Sequence, residues 1–122
     1  MATLNEYRHA GEGIISEATG HRSRTKGITV LAGQKLNALH VVGAVTASGK
    51  FVEWNPTNTD GSEAVAGFMH GPVDATDGDA TGVVMDGDCE VQRPALTLFD
   101  GATEANEDAA VAGLLALGIK AR

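Results

Sequence analysis

The chain has 122 residues, which is enough for one domain of ordinary size and too short for two comfortable ones. Its formal charge of −7 comes from the residues after position 26, and an acidic body disfavours nucleic-acid binding because phosphate groups repel it. The single cysteine, Cys89, excludes an internal disulfide, and no apolar run approaches the roughly 20 residues that a membrane-spanning helix needs.

Residues 1–27 are predicted to form an extended N-terminal arm outside the core. The segment mixes charged residues, Gly and Ser without sustained periodicity, and it has one short apolar patch, at Ile14 and Ile15. Such a segment buries too little apolar surface to fold alone. We expect it either to be a loose terminus or to become ordered on a partner by adding strands to an exposed sheet edge.

Residues 28–122 are predicted to form a single, mainly β domain. Short apolar or alternating runs, separated by clusters of Gly, Pro, Asn and Asp, are typical of strands joined by turns. The predicted strands cover residues 28–31, 39–45, 51–54, 63–70, 81–86 and 89–91, with a further short strand at 96–99. We expect a turn at residues 47–50 and a tight hairpin at Gly87 and Asp88.

One helix is predicted close to the C-terminus, over about residues 103–117. Thr103 is a favourable N-cap, acidic residues follow it in the first turn, and Gly118 predicts the end of the helix. Gly113 lowers helix stability by about 1 kcal/mol relative to Ala, which indicates a close packing contact. Residues 119–122 are able to add a last strand. The predicted apolar stripe consists of Val111, Leu114, Leu115 and Leu117.

No arrangement of residues in the sequence predicts catalysis or a bound cofactor. The four histidines lack the spacing of a zinc site. The aspartates from Asp74 to Asp88 lack the ligand order of a calcium loop, so we expect them to be solvated loop acids. Cys89 lacks a nucleophile signature and is expected to be a small buried hydrophobe. We therefore predict no enzyme, metal, cofactor or small-molecule substrate.

The chain carries a series of short sequence elements in a fixed order. They are RHAGE at 8–12, IISEA at 14–18, GHRSR at 20–24, LAGQ at 31–34, TASGK at 46–50, KFVEWNP at 50–56, DGSE at 60–63, VDAT at 73–76, EV at 90–91 and LGIxxR at 117–122, where x is any residue. No single element is specific. Their order and spacing resemble the head decoration proteins of lambda-like tailed bacteriophages.

The resemblance implies a small barrel or ribbon of the β-clip type that forms a homotrimer. Proteins of this family sit on the outer surface of the mature head, at three-fold and quasi-three-fold sites, and clamp the major capsid protein against DNA pressure. We therefore expect a virion protein made in the host cytoplasm, with no nucleic-acid or membrane partner.

The resemblance also assigns roles to parts of the chain. Residues 1–27 become the capsid-binding arm and residues 28–122 the decoration domain. The capsid-binding residues so implied are Tyr7, Arg8, Ile14, Ile15, Ser16, Glu17, Arg22 and Arg24. The residues assigned to the trimer interface are Phe51, Trp54 and Pro56.

Two other interpretations stay open at this point. A trimeric virion spike or adhesin domain that binds a host receptor would also be acidic, rich in Gly and rich in strands. Such a protein would use residues 1–27 as a trimeric stalk, whereas a clamp needs them on the shell. A small hydrolase that uses Cys89 is the third interpretation, and loss of activity in Cys89→Ala would favour it.

Overall fold

The computed structural model describes residue 6 and residues 8–122, and these residues are mainly β-strand with a C-terminal helix. The helix α1 spans Glu104–Ala116, and short 3₁₀ turns span Thr19–His21 and Arg93–Ala95. The strands are β1 (Ile14–Glu17), β2 (Arg24–Val30), β3 (Lys35–Leu36), β4 (Val41–Ala44), β5 (Phe51–Glu53), β6 (Gly67–Met69), β7 (Val73–Asp74), β8 (Ala80–Met85), β9 (Cys89–Val91) and β10 (Ile119–Ala121). The predicted fold class is confirmed.

Five strands close into a barrel, in the order β2-β5-β4-β6-β8. β2 and β5 pair in parallel, and the other four pairs are antiparallel. The predicted turn between β4 and β5 is present, and Gly49 has a φ of +71° there, a conformation that glycine adopts without strain. A barrel of this size fits the predicted β-clip type.

The core has two parts. One part fills the barrel, with Val30, Val42 and Val84 among its buried side chains. The other part lies between the barrel and α1, where Phe68 and Leu114 are fully buried. Because the second part includes side chains of both the barrel and α1, it packs the helix against the barrel.

The strands nearest the two ends of the chain form a separate sheet, which we call the terminal sheet. It consists of β1, β9 and β10, with β9 in the centre. β1 is antiparallel to β9, and β10 is parallel to β9. The terminal sheet therefore has two edges, one formed by β1 and the other by β10.

The predicted hairpin at Gly87 and Asp88 is wrong. β8 belongs to the barrel and β9 to the terminal sheet, so the two strands do not pair with each other. The backbone N–H groups of Asp86 and Gly87 instead donate to the carbonyl oxygen of Ser23, at 3.0 and 3.1 Å. This connection turns the chain out of the barrel.

Several strand boundaries differ from those predicted. β2 begins at Arg24 and not at residue 28, because an irregularity at Gly27, whose φ is +73°, interrupts the alternation while pairing with β8 continues on both sides. The run at residues 63–70 contributes only β6. The strand predicted at residues 96–99 is absent from the described structure except for an isolated bridge between Thr97 and His40.

The helix follows the prediction at both ends. Thr103 accepts a hydrogen bond from the N–H of Asn106 in a capping box, and Gly118 has a φ of +87°. A Cβ at Gly113 would come within 2.7 Å of Val65, which confirms the predicted close contact. The predicted apolar stripe is wrong at Leu115, which is 57% exposed, because Leu114 is the residue that faces the core.

Candidate functional site

The backbone that leads into β1 is closely fitted to the body. The N–H of Gly11 donates to the carbonyl of His70 at 2.9 Å, and the carbonyl of Gly13 accepts from the N–H of Gln92 at 2.8 Å. Gly13 is buried, and a Cβ there would lie 2.5 Å from Leu39 and 2.8 Å from Ala95. Glycine is therefore the residue that lets this segment approach the core.

β1 presents its side chains to both core and solvent. Ile14 packs against the core, whereas Ile15 is 49% exposed. The register with β9 shifts between Ile14 and Ser16, so both Ile15 and Ser16 are exposed in succession. Burying Ile15 against a partner would be favourable, since full burial of an Ile side chain is worth roughly 1.5–3 kcal/mol.

Glu90 in the central strand joins both edges of the terminal sheet. Its carboxylate accepts a hydrogen bond from Ser16 Oγ at 3.1 Å and from Arg122 Nε at 2.8 Å. The bond from Arg122, and next to it the bond from Ser16, lowers the pKa of Glu90 below its ordinary value. The carboxylate therefore stays ionised and paired at neutral pH.

Glu17 and Arg24 form an ion pair that links β1 to the start of β2. The Arg24 guanidinium bonds to both carboxylate oxygens of Glu17, with Nε at 3.2 Å from one of them. This fork-like geometry is a strong form of carboxylate recognition. Both residues were predicted to bind the capsid, and in the single chain they bind each other.

Ser23 fixes the segment between these two strands. It is fully buried, and its Oγ accepts from the N–H of Ala18 at 2.7 Å and donates to the carbonyl of Asp88. Its own carbonyl is the acceptor for the connection between β8 and β9. Ser23 therefore ties residues 18–23 to the body at a buried point.

The other predicted arm residues lie in different places. Arg22 is exposed, and its Nε donates to the carbonyl of Thr19 at 2.9 Å. Arg8 is exposed and lines a surface pocket of about 440 Å³ together with Glu12 and Asn37. Tyr7 lies outside the described residues. The structure thus brings together Ile14, Ile15, Ser16, Glu17 and Arg24 on or beside β1, with Arg22 nearby in sequence and Arg8 apart.

The three residues predicted for the trimer interface differ in exposure. Pro56 is exposed in a loop, and Phe51 is half-buried on β5 against the barrel core. Trp54 is 3% exposed; its Nε1–H donates to the carbonyl of Glu63 at 2.9 Å, and its ring meets Phe99 edge-on at 5.9 Å. Their assignment to an interface stays a prediction.

The residues considered as a catalytic nucleophile or as metal ligands make structural contacts instead. Cys89 is buried, and this burial, with the nearby Glu17 charge, raises the pKa of its thiol to about 11, so it is a poor nucleophile at pH 7. Asp74 accepts from the N–H of Thr76 at 3.0 Å, and Asp79 from Lys50 Nζ at 2.6 Å. Within residue 6 and residues 8–122, no group of three or more His, Cys, Asp or Glu is arranged to hold a metal.

Sequence reasoning missed the roles of Ser23, Glu90 and Arg122. Glu90 and Arg122 are 32 positions apart and meet through a parallel pairing that no local pattern shows. Ser23 lies in a polar segment with no apolar periodicity, so nothing in its neighbourhood indicates burial. Glu90 and Arg122 each lie within one of the short sequence elements, and this is the one signal that could have drawn attention to them.

The structure combines a small closed barrel with a three-stranded sheet whose edge at β1 carries the exposed Ile15. A comparison with protein-family models identifies the family. The model described as bacteriophage lambda head decoration protein D matches residues 3–119, and the chain belongs to this family. None of the curated proteins compared with the chain matches it significantly.

Membership of this family assigns the chain a structural role in decorating a phage capsid, and hence a place on the virion head. No helix in the described part of the chain is both long and apolar enough to cross a membrane.

Proposed function

We propose that the chain binds as a homotrimer to the outer surface of the mature head, at three-fold and quasi-three-fold sites. There it clamps neighbouring subunits of the major capsid protein against the pressure of packaged DNA. Family membership over residues 3–119 supports this proposal.

The edge of the terminal sheet at β1 is the proposed contact with the shell. β1 pairs with β9 on one side, and the sheet ends at β1 on the other. An extended segment of the capsid protein pairs with this edge through backbone hydrogen bonds. An apolar pocket of the capsid protein receives the side chain of Ile15. Arg22, which is exposed, pairs with acidic groups of the shell.

In this proposal the N-terminal arm and the body of the protein have different roles. Residues 1–27 act as the capsid-binding arm and residues 28–122 as the decoration domain. β1 and Ser23 hold the second half of the arm against the body by hydrogen bonds, so it meets the shell as an ordered strand. Fewer residues then need ordering on binding, at roughly 1–2 kcal/mol for each backbone residue fixed.

Trimer formation strengthens binding to the shell, because the affinity of a single β1 edge is modest. Three β1 edges on one trimer act at high effective concentration if the trimer matches a three-fold site. Phe51 and Pro56 are the residues of the proposed interface with accessible surface in the single chain, and Trp54 supports them from the core.

One observation favours a capsid clamp over a receptor-binding spike. A spike would use residues 1–27 as a stalk leading away from the body, but Ile14–Glu17 pair with Cys89–Val91 of the same chain. The segment therefore lies on the body, with Ile15 facing outward at a sheet edge.

The test is co-sedimentation with expanded heads that lack decoration protein. Ile15→Asp places a charge on the exposed edge, and we expect it to weaken binding about tenfold or more while the chain stays folded. Thr81→Asp adds the same charge at an exposed position of β8 and serves as the matched control. If Ile15→Asp pellets with heads as well as the control does, the edge at β1 is not the shell contact.

A further inference from the structure

The sequence contains four Asp–Gly pairs, and at such a pair the main chain can rearrange without an enzyme. The pairs are Asp60–Gly61, Asp77–Gly78, Asp86–Gly87 and Asp100–Gly101, all in the part of the chain that the structure describes. The rearrangement begins when the backbone nitrogen of the glycine attacks the side-chain carboxyl carbon of the aspartate. Glycine favours this attack, because it has no side chain to shield its nitrogen and its backbone turns freely. The fold decides which pair is free to react.

In three of the four pairs the N–H of the glycine already donates a hydrogen bond. These bonds run from Gly61 to Glu63 Oε2 at 2.7 Å, from Gly78 to the carbonyl of Ala75 at 3.3 Å and from Gly87 to the carbonyl of Ser23 at 3.1 Å. A nitrogen held in this way faces its acceptor, so the bond must break and the loop must open before the attack.

Two of these three pairs are also held through the aspartate. Asp60 accepts a hydrogen bond from the N–H of Ser62 at 3.1 Å, and Asp86 accepts one from Thr25 Oγ1 at 2.7 Å. Asp77 is exposed, so the bond of its glycine is the restraint that the structure gives that pair. We therefore expect Asp77–Gly78 to be the least protected of the three.

Asp100–Gly101 is the pair in which both residues are exposed, in the loop that leads into α1. Among the described residues, neither the N–H of Gly101 nor the carboxylate of Asp100 has a hydrogen-bond partner. The two residues form the tip of a turn that the N–H of Ala102 closes by donating to the carbonyl of Phe99 at 3.1 Å. Gly101 has a φ of +84°, and a Cβ there would meet no atom within 4 Å, so the space around the tip is open.

We propose that Asp100–Gly101 is a site of spontaneous aspartate isomerisation in the folded protein. The nitrogen of Gly101 forms a bond to Cγ of Asp100 and loses its proton, a carboxyl oxygen leaves as water, and a succinimide ring closes. Water then opens the ring. Attack at Cγ restores aspartate, whereas attack at the α-carbonyl carbon gives isoaspartate, in which the main chain runs through Cγ. Water is the co-reactant, no atom is oxidised or reduced, and the step does not depend on the proposed function.

Peptide mapping of the folded chain, aged at neutral pH and physiological temperature, tests the proposal. Cleavage after glutamate gives peptide 54–63 with Asp60, peptide 64–90 with Asp77 and Asp86, and peptide 91–104 with Asp100. Chromatography and fragment ions distinguish isoaspartate from aspartate in each peptide. We expect isoaspartate to accumulate at position 100 severalfold faster than at the other three positions. Equal or faster conversion at any of those three would overturn the inference.

The same chain unfolded in urea is the control for the effect of the fold. All four pairs are then free of their hydrogen bonds, so we expect them to convert at similar rates. A preference for position 100 that is as strong in urea as in the folded chain would show that the fold does not select the site, and would also overturn the inference.

Two asparagine variants compare a free pair with a held one. A side-chain amide reacts through the same ring and releases ammonia, so each turnover is seen as a change in mass. We expect Asp100→Asn to deamidate at its new amide severalfold faster than Asp86→Asn does, because Ser23 holds the N–H of Gly87. Equal rates in the two folded variants would contradict the proposed selection by the fold.

A second assay measures the total isoaspartate in the aged, folded chain. A methyltransferase that esterifies isoaspartyl carboxylates, supplied with S-adenosylmethionine, is the probe. Asp100→Glu keeps the charge but would need a larger ring that closes more slowly, so we expect it to accept severalfold fewer methyl groups than the unmodified chain. Asp77→Glu makes the same change at an exposed pair and should accept as many as the unmodified chain. The opposite result, a loss in Asp77→Glu and none in Asp100→Glu, would place the reaction at Asp77–Gly78 and overturn the inference.

Discussion

Ser16 at one edge of the terminal sheet is hydrogen-bonded to Glu90 in its central strand, at 3.1 Å. The other oxygen of the same carboxylate is bonded by Arg122, which follows the opposite edge strand. This partly exposed carboxylate therefore couples the two edges of the terminal sheet. The pairing lowers the pKa of Glu90, so this coupling is present at neutral pH.

We expect Glu90→Ala to loosen the edges without unfolding the chain. Ser16 and Arg122 lose their shared acceptor, but the backbone ladder and the core stay in place. Amide exchange in residues 14–17 should become severalfold faster, with little change in melting temperature, because exposed pairs add little global stability. Asp77→Ala removes an exposed carboxylate elsewhere and is the control. Unchanged exchange at residues 14–17 in Glu90→Ala would show that the carboxylate does not hold the edges.

Gly13→Ala should weaken the attachment of the segment before β1. The added methyl group meets Leu39 at 2.5 Å and Ala95 at 2.8 Å, so the core or the backbone must shift. We expect a loss of about 1–3 kcal/mol in the free energy of unfolding, as for other overpacked cores. The measurement is denaturant unfolding.

Gly78→Ala is the matched control for this substitution. A Cβ at Gly78 has no atom within 4 Å, and its φ is not positive. Its stability should be unchanged or higher by about 0.4–1 kcal/mol, because alanine restricts the unfolded chain. Equal stability of the two variants would contradict the close fit of residue 13.

The sequence predicted the elements that local patterns determine. Helix α1 has a cap, a terminating glycine and a tight interior glycine, so both of its ends were predicted correctly. β9 was predicted because residues 89–91 follow the turn residues Gly87 and Asp88, and the turn before β5 was predicted from the small residues and Gly49 at positions 47–50.

What the sequence did not predict depends on long-range pairing. Gly87 and Asp88 look like a hairpin turn, but β9 pairs with β1 and β10, and Ser23 takes the N–H groups of the connection. β2 was placed too late because Gly27 breaks its alternation. The candidate site is a sheet assembled from residues 14–17, 89–91 and 119–121, and no local signal brings these segments together.

Leu114→Ala and Leu115→Ala should have very different effects on stability. Leu114 is fully buried, whereas Leu115, the next residue, is 57% exposed. We expect Leu114→Ala to cost about 2–5 kcal/mol and Leu115→Ala less than about 1 kcal/mol. Thermal and denaturant unfolding of both variants measures this difference. Similar losses in the two variants would mean that α1 packs through a different face.

Stability should fall as the pH drops below about 6.5, because His40 is buried as a neutral ring. It is 4% exposed, and burial lowers its pKa even though Glu53, at 2.7 Å from Nε2, and the more distant Asp100 act to raise it. Among the described residues, Nδ1 has no hydrogen-bond partner. A folded-state pKa below the unfolded value means that the unfolded chain binds the proton first as the pH falls.

The stabilisation is therefore complete above the unfolded pKa and declines below it. At pH 5.5 the loss from this residue is at most about 1.4 kcal/mol, one pH unit below the ordinary value. Urea unfolding at pH 7.5 and 5.5 is compared for the unmodified chain and for His40→Gln, which does not titrate. A smaller pH-dependent loss in the unmodified chain than in His40→Gln would contradict the lowered pKa.

Electron cryomicroscopy of expanded heads, with and without the added chain, tests the central claim most directly. We predict additional density at the three-fold and quasi-three-fold positions of the outer surface, in groups of three copies. The terminal sheet should face the shell, with Ile15 at the contact. Absence of this density, or density in which the terminal sheet points away from the shell, would contradict the account.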